Sequence, residues 1–383
     1  MLTIGIVANE PSGDLLGAAL VRDLRARRPD ARFVGVAGPH MIAAGCETLF
    51  PLERLSVMGL VEVIKHLGEL LRLRRELVVH FLRLRPDVFV GVDAPDFNLG
   101  LERRLRSGGI PTVHLVSPTV WAWRPGRVKA IRRAVDLMLS VFPFEEALLR
   151  EKGVPVRYVG HPLADEIPLQ VDGETARAAL GLPREGPVIA ILPGSRRSEV
   201  GHLAGPFLQA ARWCLERRPD LRFVSPLVSP TLRAMFSAAV RREAPDLPIT
   251  LVEGRSREAI AASSCVLTAS GTATLETLLL KRPMVVAYHM NALTYHLVRG
   301  LRLVKVPYIA MANLLAGRPL APEFIQERCR AELLGPALLE LLGDPVRVHE
   351  IQTVYDQIHR LLRRNAASEA AAAVLDLVAQ PRP

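Results

Sequence analysis

The chain is poor in features that would mark a redox, metal or secreted protein. It has only four cysteines, Cys46, Cys214, Cys265 and Cys329. They are scattered with no C-x-x-C spacing, which argues against a zinc site or a disulfide framework and for reduced packing residues. Aromatic residues make up 5%, and no RNA-binding module or aromatic interleaving is visible, so nucleic acid is not an expected partner. No apolar run approaches the roughly 20 residues needed to span a bilayer. A first strand beginning at Leu2 leaves no room for a signal peptide, so a soluble, cytoplasmic protein is expected. No chelating cluster stands out, since Asp93 and Asp96 in a D-x-x-D do not make one alone. The first strand-to-helix turn, VANEPSGD (Val7 to Asp14), is neither a G-x-G-x-x-G turn nor a P-loop.

Among what is present, 383 residues, 49% of them hydrophobic, suffice for two folded domains. Net charge is +10, carried mostly by arginine. It points either to an anionic partner or to arginine used as a solvated surface residue. Short apolar runs alternate with helical segments. Strands are expected at 2–8, 32–37, 88–92, 112–116, 137–141 and 156–159. The pattern restarts with strands at 187–192, 222–226, 249–252, 265–269 and 284–288. Helices are expected at 15–27, 99–107, 203–216, 273–280 and 366–379. All-apolar strands separated by helices indicate parallel sheets covered on both faces. The expected fold class is α/β: two Rossmann-like parallel-sheet domains facing across a cleft, with a Pro- and Gly-containing linker near 163–174. The expected domains are 1–165, 166–350 and a helical tail, 351–383.

Ligands of open parallel sheets sit beyond the carboxyl ends of the strands. LPGSRRSEV (Leu192 to Val200) places Gly194 and Ser195 in such a turn with Arg196 beside them. Helix-start N–H groups favour an anion and arginine offers a forked charge; the plainer alternative is an ordinary turn with a solvated arginine. SGTATLE (Ser270 to Glu276) is a second such turn. Ser270, Gly271 and Thr272 offer amides to a diphosphate, and Glu276 is an acceptor for a ribose diol, unless Ser270 is simply an N-cap. Together the two turns suggest a nucleoside diphosphate. In VDAPDFN (Val92 to Asn98), Asp93 comes directly off a strand and is the candidate general base, a task an ionised aspartate performs near neutral pH. Asp96 and Asn98 either orient a substrate or cap the next helix.

SPTVWAWRPGR (Ser117 to Arg127) carries Trp121 and Trp123, for which core packing is the slightly favoured reading, followed by Arg124 and Arg127, candidates for a phosphate or lipid headgroup. His161 in VGHP either touches a phosphate or satisfies a backbone carbonyl. Glu10, Ser12, Gly13 and Asp14 line the first turn; its two acids suit sugar hydroxyls or turn stabilisation better than phosphate. The stretch Val57 to Arg85 mixes leucine and valine with basic residues. It suits either the surface of an acidic bilayer or packing on its own sheet. Its candidate membrane contacts are Val57, Met58, Leu60, Val61, Leu67, Leu70, Leu71, Arg72 and Arg75. A second apolar-basic stretch, Leu293 to Val306, strengthens the membrane reading.

EPSGD, FVGVAGP, VMGLVEV, PDVFVGVDAPDFN, HLVSPTVWAWR, FPFE, VGHPL, LPGSRRSEV, LTASGTATLE, PMVVAYHM and NLLAGR, in this order over most of the chain, resemble the lipid-A-disaccharide synthase family, inverting glycosyltransferases of the GT-B fold (family 19). DAPDFN with VSPTVWAWR carries most of the specificity, since LPGSR and SGTATLE fit many UDP-sugar enzymes. The resemblance implies transfer of a sugar from UDP-2,3-diacylglucosamine to the 6-hydroxyl of 2,3-diacylglucosamine 1-phosphate (lipid X), with release of UDP. It implies Asp93 as base, Arg196 facing the diphosphate, 270–276 as nucleotide turn and Asn313 near the cleft. It further implies no metal or other cofactor, a peripheral position on the cytoplasmic face of the inner membrane, and a C-terminal helix crossing back to the first domain. One departure is Asn9, where the family's G-E-x-S-G-D has its first glycine; asparagine tolerates positive φ better than most residues. The competing expectations are a UDP-N-acetylglucosamine 2-epimerase of the same architecture and a non-catalytic lipid- or nucleotide-binding protein.

Overall fold

The computed structural model describes residues 1–55, 60–120, 126–289 and 307–380, and of 60–65 the backbone alone. Val57, Met58, Trp121, Trp123, Arg124 and the stretch Leu293–Val306 lie outside the described residues, as do the side chains of Leu60 and Val61.

The chain divides into two units, Met1–Asp165 with Leu362–Pro383, and Glu166–Leu361. The first holds seven strands: β1 (Thr3–Ala8), β2 (Arg32–Val36), β3 (Cys46–Thr48), β4 (Val88–Val92), β5 (Thr112–Leu115), β6 (Leu137–Ser140) and β7 (Val156–Tyr158). They form one sheet in the order β3-β2-β1-β4-β5-β6-β7, and every pairing is parallel. The second unit holds β8 (Val188–Leu192), β9 (Arg222–Leu227), β10 (Ile249–Glu253), β11 (Cys265–Ala269), β12 (Met284–Tyr288) and β13 (Glu323–Ile325). Their order is β10-β9-β8-β11-β12-β13, again all parallel. Both are Rossmann-like α/β units. The central strands β4, β8 and β11 are buried along their whole length, as sheets covered on both faces require.

The strands expected from apolar runs are present. β3 and β13 were not expected, because each is a three-residue edge strand with polar members, CET and EFI. Four of the expected helices begin earlier than their apolar periodicity does. Those first seen at Leu15 and Leu99 start at Pro11 and Pro95, because proline suits the first turn, where its missing N–H is not needed. The polar motif residues Ser12, Gly13, Asp14, Asp96 and Asn98 are therefore first-turn helical residues rather than loop residues.

The helix Pro345–Leu362 belongs almost wholly to the second unit, which runs to Leu361 rather than 350. The last helix, Ala366–Ala379, packs Ala370, Ala371, Ala373 and Val374 into the core of the first unit. Its start is held by Asp165, which accepts from the N–H groups of Asn365 (2.9 Å) and Ala366 (2.6 Å). Arg157 pairs with Glu369 and Asp376 further along. Replacing Asp165 by alanine leaves both N–H groups uncapped; a loss of about 1 kcal/mol, read by urea unfolding, is expected.

Candidate functional site

In a parallel sheet whose strand order turns back on itself, the crevice opens where neighbouring strands send their helices in opposite directions. In the first unit that point lies between β1 and β4, and in the second between β8 and β11. The turns after these four strands are EPSGD, DAPDFN, LPGSR and SGTATLE. Each unit thus carries its two polar motifs side by side at its own switch point.

In the first unit Glu10 and Ser12 are exposed, whereas Gly13 and Asp14 are buried. A Cβ on Gly13 would stand 3.5 Å from the Val92 carbonyl, so this turn backs onto the end of β4. Asp14 is turned toward its own chain. Its carboxylate accepts from the N–H groups of Gly38 (2.9 Å), His40 (2.9 Å) and Met41 (3.0 Å) and so caps the helix Pro39–Ala43. Asn9 is buried and is not among the residues with positive φ, so a side chain is accommodated there without left-handed backbone. Asp93 is half-buried and left-handed (φ 52), as is Ala94 (φ 44). Asp96 is exposed and ion-paired with Arg127. Asn98 is fully buried and donates to backbone carbonyls, and Ala94 rather than Asn98 or Asp96 holds the cap position. His161 lies tilted at 40° against Phe142 (centroids 5.1 Å apart) and accepts from the Leu163 N–H through Nδ1 (3.2 Å). Burial pushes its pKa from 6.5 down to about 4, so the ring is neutral at physiological pH.

In the second unit Ser195 and Arg196 are exposed after Gly194 (φ 111). The amides of Ser195 and Arg196 are not open to an anion, however. Both donate to Glu199 Oε2 (2.9 and 3.2 Å), while Arg196 Nη1 reaches Glu199 Oε1 (3.1 Å). The sequence offered a signal for this, since a glutamate three residues into a helix is half of a capping box. At the second turn Gly271 (φ 142) and Thr272 are exposed, and a Cβ on Gly271 would meet nothing within 4 Å. Ser270 is not the N-cap: its amide donates to Ala287 O (3.2 Å) and its hydroxyl to Ile309 O (3.1 Å), while Gly271 holds the cap position. Glu276 pairs with Arg257 at 3.4 Å. Asn313 is fully buried, with its side-chain amide bonded to its own chain. It donates to Ala321 O and Glu323 and accepts from Leu320 and Ala321 N–H, all at 2.8 Å.

On the helix Leu60–Leu84, Leu67, Leu71, Arg72 and Arg75 are exposed, and Leu70 packs against the core. Much of the arginine surplus is engaged in surface pairs such as Arg72–Glu76 and Arg150–Glu146. Arg74 instead lies among Arg75, Arg103 and Arg104; burial first, then these neighbours, lower its pKa. Among the described residues no helix is long and apolar enough to cross a membrane. The four cysteines are buried and unbridged.

Two Rossmann-like parallel-sheet units with polar turns at their switch points place the chain in the α/β class, and solved structures share that fold. The glycotransferase of kitacinnamycin matches with a TM-score of 0.64 at 18% identity over 98% of each chain. A UDP-N-acetylglucosamine 2-epimerase from Listeria monocytogenes matches with a TM-score of 0.62 at 16% identity, over 100% of this chain and 98% of that one. At such identities the likeness establishes the fold, which glycosyltransferases and epimerases share. Sequence separates them. The profile described as Lipid-A-disaccharide synthetase matches residues 4–378. The lipid-A-disaccharide synthases of Methylobacillus flagellatus and Pseudomonas aeruginosa are 50% and 54% identical to this chain. They cover 99% and 98% of it, and 100% and 98% of their own lengths are matched. The chain belongs to the lipid-A-disaccharide synthase family and is a glycosyltransferase of lipid A biosynthesis.

An unfolded histidine titrates near 6.5, whereas His161 stays neutral down to about 4. The unfolded chain therefore binds the proton first, and stability present above 6.5 is lost as pH falls from there toward 4. The drop in Tm between neutral and mildly acidic buffer is expected to be smaller in His161→Gln than in the parent.

Proposed function

We propose that the enzyme joins UDP-2,3-diacylglucosamine to the 6-hydroxyl of lipid X, giving the β-1′,6-linked disaccharide 1-phosphate and UDP. The observation that carries this reading is the placement of DAPDFN and LPGSR, each beyond a strand that borders a switch point. Asp93 is the base. It takes the proton of the 6-hydroxyl as that oxygen bonds to C1 of the donor, and the C1–O bond to UDP breaks on the opposite face with inversion. Arg196 lies exposed beside the leaving diphosphate and offsets its growing negative charge. With the Ser195 and Arg196 amides held by Glu199, the guanidinium and the open Gly271–Thr272 turn are the groups left to meet the phosphates. Glu276 accepts from the ribose. Glu10 and Ser12 meet sugar hydroxyls. The proposed transfer is metal-free, the growing oxyanion charge falling on Arg196.

The helix Leu60–Leu84 is the lipid-facing element, at the cytoplasmic face of the inner membrane. Leu67 (49% exposed) and Leu71 (37%) recur at helical spacing with the exposed Arg75. The neighbouring arginines suit anionic headgroups, each worth about 1 kcal/mol near such a surface.

Asp93→Asn is expected to lower turnover by about 10²-fold or more, while UDP binding persists. Arg196→Ala is expected to weaken UDP binding and lower kcat/KM together. The assay is disaccharide formation from both acylated substrates, followed by product mass; no product under several detergent conditions would sink the reading. Leu67→Glu with Leu71→Glu is expected to reduce cosedimentation with anionic vesicles while leaving turnover on detergent-dispersed substrates near the parent level. Unchanged cosedimentation would refute the assignment of that helix.

A further inference from the structure

Beneath Asp93 the first unit buries a set of polar side chains that the transfer chemistry above does not use. Asp93 and Ala94 are consecutive left-handed residues, and neither is a glycine. That conformation is disfavoured for any residue with a Cβ and persists only where the surroundings over-determine it. Asn98, in the first turn of the helix that follows, has no exposed surface. Its Nδ2 donates to the Asp93 carbonyl at 2.8 Å, with the carbonyls of Val92 at 3.3 Å and Val7 at 3.5 Å as more distant acceptors. One amide thus ties the ends of β1 and β4 to the left-handed turn.

Four residues on, Glu102 lies on the same helix face. It too has no exposed surface, and its Oε1 is 2.7 Å from Nδ1 of the equally buried His114. His114 stands opposite Gly91 in the β4–β5 ladder. A Cβ on Gly91 would fall on Glu102 Oε1 and lie 3.1 Å from Asn98 Cβ. Gly91 therefore leaves the room that lets both side chains pack under the end of β4. Burial pushes the Glu102 carboxyl up, against the pull of His114. An apolar contact would tolerate rotation of the helix; a directional bond between two buried groups does not.

We propose that Asn98 is a positioning residue for the sugar transfer. It holds the left-handed Asp93–Ala94 backbone so that the Asp93 carboxylate is presented beyond β4, and the Glu102–His114 pair fixes the helix face from which Asn98 acts. The role rests on Asp93 being the base.

The test is a double-mutant cycle with a rescue. Asn98→Ala is expected to lower kcat by about 10- to 100-fold and to leave the UDP dissociation constant within about twofold, because Arg196 and Gly271 belong to the other unit. In an Asp93→Asn background the same change is expected to cost nothing further, since a carboxylate that is absent cannot be misplaced. Adding Ala94→Gly to Asn98→Ala is expected to restore part of kcat, because glycine takes left-handed backbone without strain. Where Asn98→Ala does not fold, Asn98→Leu keeps the branched shape without a donor and is expected to give the same pattern. An equal loss in both backgrounds, or no recovery with glycine, would overturn the positioning role and leave the base assignment standing. Near-parent turnover in Asp93→Asn would overturn both.

Discussion

The parallel pairing of β1 with β4, and of β8 with β11, is the constraint on which both units depend. A parallel sheet must be covered on both faces, and its crossovers return every helix to the start of the next strand. All carboxyl ends therefore lie along one edge. Where strand order turns back, the helices diverge and leave that edge uncovered. A chain that puts its apolar residues into such strands puts its polar residues, by default, where a ligand has room.

Position at the edge does not make a residue a ligand contact. Asp14, Asn98, Glu199 and Asn313 are all of types that suit a sugar or phosphate, and all stand in or beside the motif turns. Each instead bonds its own chain: Asp14 the Gly38 turn, Asn98 the β1 and β4 ends, Glu199 the amides of the LPGSR turn, Asn313 the 320–323 segment. The reason is common to them. A sharp strand-to-helix turn exposes backbone donors and acceptors that must be satisfied when buried, and the groups that satisfy them are the groups that bind substrates. The motif residues that stay exposed are Glu10, Ser12, Ser195, Arg196, Gly271 and Thr272, with Asp93 and Glu276 half-buried. Architecture alone would not have separated a glycosyltransferase from an epimerase, since both share it; the whole-chain likeness to lipid-A-disaccharide synthases does.

The strands of both sheets were legible from short apolar runs, because burial on two faces leaves an unmistakable local composition. β3 and β13 are not, because CET and EFI are three-residue segments outside any apolar run. Helix starts lie ahead of the apolar periodicity. Periodicity begins with the first apolar residue, whereas a proline-led first turn such as PSGD or PDFN is polar and still helical.

By itself the sequence determined the α/β class, the two units, the motif turns at strand ends and the family, since each of these is written in local pattern or in residue order. Tertiary structure alone decided which motif residues are exposed and which are internal braces. That decision rests on hydrogen bonds between segments distant in the chain, Asp14 with Met41, His114 with Glu102 across β5 and its neighbouring helix, and Asp165 with Ala366. A carboxylate or amide carries no local mark of its partner, because the partner arrives only when the sheet closes.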